Sequence, residues 1–141
     1  MCLFLEGQGG PIAFSAYAQD DLSHITNDLI QFALIITNLG EHYQKDASIF
    51  LCPVPGVYAF AINLQDEPMG NAMDIFLMKN TVRLAGLKTE YIEGKRMTGS
   101  TFVVTECDLW DKVWVRTIVN GTVNGGGYRH SVFTGFLLHW Y

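Results

Sequence analysis

The sequence predicts an all-β domain, a sandwich or a barrel, and two observations carry the prediction. Short runs rich in Val, Ile, Phe, Tyr and Thr recur along the chain. Clusters of Gly, Pro and Asn separate them, at the spacing of many short strands. The length sets the scale, since 141 residues make one domain with a full core and leave no room for two.

In chain order the expected strands are residues 12–18, 33–37, 48–52, 57–64, 73–78, 81–87, 101–106, 112–118 and 132–140. The reversals between them read Gly9-Gly10-Pro11, Asn38-Leu39-Gly40, Pro53-Val54-Pro55-Gly56, Pro68-Met69-Gly70-Asn71, Thr98-Gly99-Ser100 and the run 120–127. Such residues supply a positive or a fixed φ where a chain turns back. Residues 27–36 read two ways. Leu29, Phe32, Ala33 and Ile36 fall at helical spacing, but the β-branched Ile35-Ile36-Thr37 favours an irregular approach followed by a strand. The chain has no internal repeat, no low-complexity tract and no Gly-x-y period, so no collagen stalk lies within it.

Two strands say more. Alternate side chains of a strand point to opposite faces, so a strand with one wet face alternates apolar and polar. In 57–64 one face reads Val57, Ala59, Ala61, Asn63 and the other Tyr58, Phe60, Ile62, Leu64. In 132–141 the faces are Val132, Thr134, Phe136, Leu138, Trp140 and Phe133, Gly135, Leu137, His139, Tyr141. Neither strand has a properly polar face. The second apolar face needs cover, from another layer of the same chain or from another subunit. Composition favours the subunit: charged residues make up only 16% of the chain, against about 25% in a typical soluble domain.

Net charge is −5, and Lys95-Arg96 is the only basic pair, so the clustered cations that bind nucleic acid are missing. No apolar stretch approaches the length that spans a bilayer, which argues against membrane insertion. The opening Met1-Cys2-Leu3-Phe4-Leu5-Glu6 lacks a charged start and is too short for a secretory signal. Cys2, Cys52 and Cys107 have neither zinc nor Cys-x-x-Cys spacing; one bridge plus a thiol, or three thiols, both fit. Asn120-Gly121-Thr122 is a glycosylation sequon.

No catalytic constellation emerges. His24, His42, His130 and His139 are scattered, and Ser131 beside His130 has neither a Gly-x-Ser-x-Gly elbow nor a third group to orient the imidazole. The run Asn124-Gly125-Gly126-Gly127 is not followed by Gly-Lys-Ser/Thr, so it reads as a loop and not as a phosphate cradle. The expectation is that the chain is not an enzyme.

From Phe32 to Phe60 the chain resembles the signature of the C1q globular-domain family: Phe32, Asn38, Tyr43, Phe50, then Gly56-x-Tyr58-x-Phe60, at family spacing. Where the family usually has a further aromatic residue this chain has Ile62. Ile12-Ala13-Phe14-Ser15-Ala16 is similar to the family's opening strand and Ser131-Val132-Phe133-Thr134-Gly135-Phe136 to its closing one. Asp111-Lys112-Val113-Trp114 is similar to a Gly-Asp-x-Val-Trp segment, with Trp110 in place of the Gly. The match runs in order along nearly the whole chain. It implies residues 1–10 as an N-terminal extension and 11–141 as the globular domain. It implies a ten-stranded jelly-roll β-sandwich of the C1q/tumour-necrosis-factor type, homotrimer-forming around an apolar axis, in an extracellular setting. Cys52 matches a position that is often cysteine in the family, and a buried, unpaired role is expected for it, while Cys107 is too unconstrained to be assigned a partner.

Some relatives of this kind hold calcium in the loop corresponding to 87–100. Glu90 and Glu93 lie there, but Lys95 and Arg96 stand where a second acid would help, so the acids paired with these cations are preferred to a metal site and no cofactor is expected. The implied topology crowds the loops 65–71, 87–100 and 120–130 at the end away from the termini. Tyr128-Arg129-His130 follows three glycines there and offers an aromatic face beside donors, the combination that holds a sugar ring. The candidate ligand-binding residues are therefore Asn120, Asn124, Tyr128, Arg129 and His130, with Asp66, Glu67, Tyr91, Glu93 and Arg96 as neighbours. Trp110 falls at the opposite end and is read as packed structure. The function expected is a secreted, homotrimeric pattern-recognition lectin of innate immunity that binds surface carbohydrate. The alternative is a trimeric signalling ligand for a protein receptor.

Overall fold

The computed structural model describes residues 10–19, 25–26, 29–66, 72–90, 92–118 and 129–141. They form β1 (Ala13–Tyr17), β2 (Ile25–Thr26), β3 (Leu29–Ile30), β4 (Leu34–Leu39), β5 (Tyr43–Gln44), β6 (Ile49–Leu51), β7 (Gly56–Gln65), β8 (Asp74–Lys79), β9 (Val82–Lys88), β10 (Thr98–Cys107), β11 (Lys112–Thr117) and β12 (Val132–Trp140). The strands expected from sequence are all present, and β2, β3 and β5 are two-residue additions. Residues 29–39 hold the short β3, an irregular stretch and then β4, so the β-branched run outweighs the helical spacing.

Two antiparallel sheets make the sandwich. One runs β10-β7-β12-β1-β4; the other has β9-β8-β11, with β3 and β6 sharing the far edge of β11. That sharing is visible in the register, where Arg116 faces Leu29 while Lys112 and Val113 face Leu51 and Phe50. Between the sheets Tyr58, Phe60, Ile62 and Leu64 meet Val113, Val115, Ile75 and Leu77, all of them buried. This is the apolar β7 face read from the sequence, and it fills the core.

The residues of the family-like signature each have a structural task. Asn38 clamps Tyr43, donating from Nδ2 to the Tyr43 carbonyl at 2.9 Å and accepting from its amide at 3.1 Å, which closes the turn between β4 and β5. The Tyr43 hydroxyl donates to the Phe32 carbonyl at 2.7 Å, and the Phe32 amide donates to Ser48 Oγ at 2.9 Å. These bonds satisfy polar groups that burial would otherwise strand. Phe50 stacks on Phe14 at 5.0 Å, and Tyr58 donates its hydroxyl to the Val54 carbonyl at 2.6 Å. Gly56 has to be glycine, because an added Cβ would lie 2.4 Å from the His139 carbonyl oxygen.

That close approach comes from an irregularity that simple alternation does not foresee. β12 pairs with β7 in step as far as Leu137 opposite Tyr58, then shifts so that His139 faces Val57 and Trp140 faces Gly56. One residue, Leu138, is extra on the β12 side, and beyond it the alternation of faces reverses.

The outward face of the five-stranded sheet follows from the register. One row across it reads Val104, Ala59, Phe136, Ala13, Leu39, and the next reads Phe102, Ala61, Thr134, Ser15, Thr37. None of these side chains is charged. Phe102 is 62% exposed, Val104 52% and Leu39 46%. The polar members Ser15 and Thr134 satisfy each other through a 2.8 Å hydroxyl–hydroxyl bond.

Candidate functional site

The same register sorts the two ends of the sandwich. Tyr17 faces Val132, Gln65 faces Thr98 and Asp74 faces Lys88, so the ends of these strands share one side of the domain. At the other side Cys107 faces Gly56 and the Tyr141 amide donates to the Pro55 carbonyl at 3.1 Å, which puts the C-terminal residue there. We call these the loop end and the base. The expected clustering of candidate residues away from the base can be followed from here.

Asp66 lies directly beyond β7 and is 3% exposed. Its amide donates to the Met97 carbonyl at 3.0 Å, and its Oδ1 accepts from the Met97 amide at 2.8 Å. The carboxylate therefore stitches the root of the first loop to the root of the second and faces protein instead of solvent. Arg96, next to Met97, is carried to the same place and is exposed, as are Glu93 and the turn around Gly94, where the Lys95 amide donates to the Ile92 carbonyl at 3.0 Å. Ser131 does the corresponding work for the third loop. Its Oγ accepts from the Gln65 amide at 3.1 Å, and its carbonyl accepts from the Ala18 amide at 3.1 Å.

Arg129 and His130 precede Ser131 and are both exposed. The Arg129 backbone is left-handed, with φ +56°, an uncommon conformation for a side chain of this size. Its guanidinium sits over the Tyr17 ring, 4.6 Å from the centroid. Stacking of this kind restrains a long side chain while leaving its N–H edge free to bond in the ring plane. The loop end thus gathers Asp66, Arg96, Arg129 and His130 around the strand ends, with Glu93 on the exposed turn nearby. Asn120, Asn124, Tyr128, Glu67 and Tyr91 lie outside the described residues.

Among the described residues no three His, Cys, Asp or Glu side chains converge closely enough to hold a metal ion. No helix among them is long and apolar enough to cross a membrane.

Sequence reasoning missed two surfaces. Phe102 and Val104 complete the apolar sheet face, and their i, i+2 spacing within β10 was the available signal. On the other sheet a groove of about 450 Å³ opens where β3 and β6 leave the middle of β11 uncovered. Leu29, Ile49 and Trp114 line it, with Asp46 and Lys112 at its rim. No local pattern announces it, because it exists only where strands distant in sequence fail to meet. A third feature corrects the reading of Trp110, which was expected to be packed. It is 59% exposed and has φ +67°. The backbone keeps the conformation that suits the glycine of the family-like pattern, and the indole in its place points outward.

The family model for the C1q domain matches residues 13–138, nearly the whole chain. The chain belongs to the C1q domain family. Complement C1q tumor necrosis factor-related protein 3 of Homo sapiens is 31% identical over 127 residues, which are 90% of this chain and 51% of that protein. Caprin-2 of Danio rerio is 30% identical over 129 residues, 91% of this chain but 14% of that protein. The C1q domain seen here thus spans about half the length of the first of these relatives. Among solved structures, the globular domain of zebrafish complement 1qA superposes with a TM-score of 0.76 at 20% identity, covering 92% of this chain and 99% of that one. The Eiger TNF of S. frugiperda gives 0.71 at 10% identity, covering 93% and 94%. At these identities the likeness establishes the fold, a jelly-roll sandwich common to C1q and tumour-necrosis-factor domains. Domains of this kind typically form trimers, and they are in general recognition or signalling modules.

Proposed function

We propose that this C1q domain is a non-enzymatic, extracellular recognition module that assembles as a homotrimer through the outward face of its five-stranded sheet. Its loop end would then bind surface carbohydrate, as a secreted pattern-recognition lectin of innate immunity does. The observation that carries the reading is the placement of Arg129: a cation stacked on Tyr17 and exposed beside His130, at the end remote from the base. A guanidinium held in this way offers paired donors to vicinal hydroxyls or to an acidic sugar without first having to be ordered. Asp66 and Ser131 support it from below by joining the loop roots. Asn120, Asn124, Tyr128, Glu67, Tyr91, Glu93 and Arg96 complete the proposed surface. Trimerisation would place three such sites side by side, and avidity would raise weak single-site binding on a repetitive surface.

The test is a glycan-array screen of the assembled protein, run with calcium and again with chelator. Selective binding supports the lectin, and its response to chelator decides whether calcium takes part. Arg129→Ala is expected to weaken binding at least tenfold with assembly intact, since a hydrogen bond to a charged group contributes roughly 1.5–3 kcal/mol. Unchanged affinity in that variant would remove Arg129 from the site. One observation favours the second reading, a trimeric signalling ligand for a protein receptor. The groove beside Trp114 lies on the flank of the sandwich, where a receptor would approach. Silence across the array from a folded, assembled protein would turn the assignment to that groove.

A further inference from the structure

Cys52 and Cys107 lie far apart in sequence, in segments that belong to different sheets. Cys52 follows β6, and Cys107 is the last residue of β10. Both are buried in the same core cluster at the base. The chain around them is held from both sides: the Cys52 amide donates to the Asp111 carbonyl at 3.0 Å, and the Cys52 carbonyl accepts from the Trp110 amide at 2.7 Å. Cys107 is fixed by its pairing with Gly56. The segments 52–56 and 107–111 therefore run side by side at the base, with both thiols buried between them and each influencing the ionisation of the other. Two buried thiols on neighbouring segments whose backbones are already held in place are positioned to pair as the sheets close.

We propose that Cys52 and Cys107 are a disulfide-forming pair, closed when the domain folds in an oxidising medium, which then clamps the two sheets together at the base.

The oxidant is a small-molecule disulfide such as oxidised glutathione, which reaches the thiols before the core closes. One of the two protein thiolates attacks one of its sulfurs, its S–S bond breaks, and one glutathione leaves as thiolate and takes up a proton. The other cysteine then gives up its proton and attacks the protein sulfur of the mixed disulfide, expelling the second glutathione as thiolate, which takes up that proton. In sum two protein thiols are oxidised to one disulfide, and one glutathione disulfide is reduced to two thiols. The loop closed in this way runs through β7, β8, β9 and β10, and long loops gain most from cross-linking.

The experiment refolds the full chain from denaturant in mixed reduced and oxidised glutathione and, in parallel, in reductant alone. Each product is then alkylated under denaturing conditions and mapped by mass spectrometry. Of the three cysteines, the oxidised product is expected to leave only Cys2 alkylated and to yield a linked Cys52–Cys107 peptide. Before alkylation the oxidised protein is lighter by about 2 Da, the two hydrogens lost. Its Tm is expected to exceed that of the reduced protein by roughly 10 °C, a difference that Cys107→Ala abolishes. The wild-type comparison needs no variant, so poor folding of Cys107→Ala leaves the test intact. Three alkylated thiols after oxidative refolding, a bridge involving Cys2, or equal Tm values for the two forms would overturn the proposal. None of these outcomes depends on whether the loop end binds sugar.

Discussion

Phe102→Asp is expected to turn the assembled protein into a folded monomer. Phe102 stands 62% exposed in a row of uncharged side chains, with Val104 at 52% beside it on the same strand and Glu106 two residues further towards the base. Such a face is too apolar to meet water without a partner, and a second copy offers a matching one. Covering one such Phe contributes about 1.5–3 kcal/mol, and each of three copies would add its own. A carboxylate in its place loses that contribution and also buries three uncompensated charges near one another, each costing several kcal/mol. Assembly should therefore weaken by many orders of magnitude, while the fold, to which the Phe102 side chain contributes little, is retained. Size-exclusion chromatography with light scattering reads the first effect and a thermal melt the second. Val82→Asp is the control, because Val82 is comparably exposed, at 56%, but lies on β9 of the other sheet. A trimer that survives Phe102→Asp, or that falls apart with Val82→Asp, would move the interface elsewhere.

Phe14→Ala is expected to produce the largest loss of stability of any single truncation in the core. The ring stacks on Tyr43 at 4.6 Å and on Phe50 at 5.0 Å, and meets Phe133 edge-on at 4.9 Å. It also fills the space that Gly135 leaves open, for a Cβ on Gly135 would lie 2.6 Å from Phe14 and 2.5 Å from Phe60. Truncation removes the buried ring, leaves a cavity between two sheets that cannot approach each other, and deletes three aromatic contacts. The expected cost is about 3–5 kcal/mol, a large part of the roughly 5–15 kcal/mol available to a typical domain. Equilibrium denaturation should show a lower midpoint with an unchanged slope, and Tm should fall by roughly 10–15 °C. A cost under about 1 kcal/mol would mean that the core closes over the gap.

The strands were legible because their cause is local. Alternation in β7 placed Tyr58, Phe60, Ile62 and Leu64 together, and all four are buried in the core. The family-like spacing from Phe32 to Phe60 was legible for the same reason, since it records which residues close turns and fill the interior. The features that stayed hidden depend on register between distant segments. The extra residue at Leu138 is visible only against β7, and the nearness of the Cys52 and Cys107 segments only once both sheets are stacked. Asp66 was named as a neighbour of the third-loop residues, and its backbone and carboxylate are both engaged with Met97, a partner no local pattern names. Arg129 was named from its place after three glycines, between Tyr128 and His130. Its perch on Tyr17 requires β1 and β12 to be neighbours, which is a property of the topology.

Trp110 has one more consequence. An indole surrounded by water emits at longer wavelength than one in a dry interior and is open to quenching by dissolved ions. Trp110, together with Trp140, which is exposed at the same end opposite Gly56, therefore marks the base of the domain spectroscopically. Anything that settles on that end withdraws the ring from water and moves the emission to the blue, whereas a ligand at the loop end leaves it where it was. The chain carries its own optical label for telling which of its two ends a partner has found.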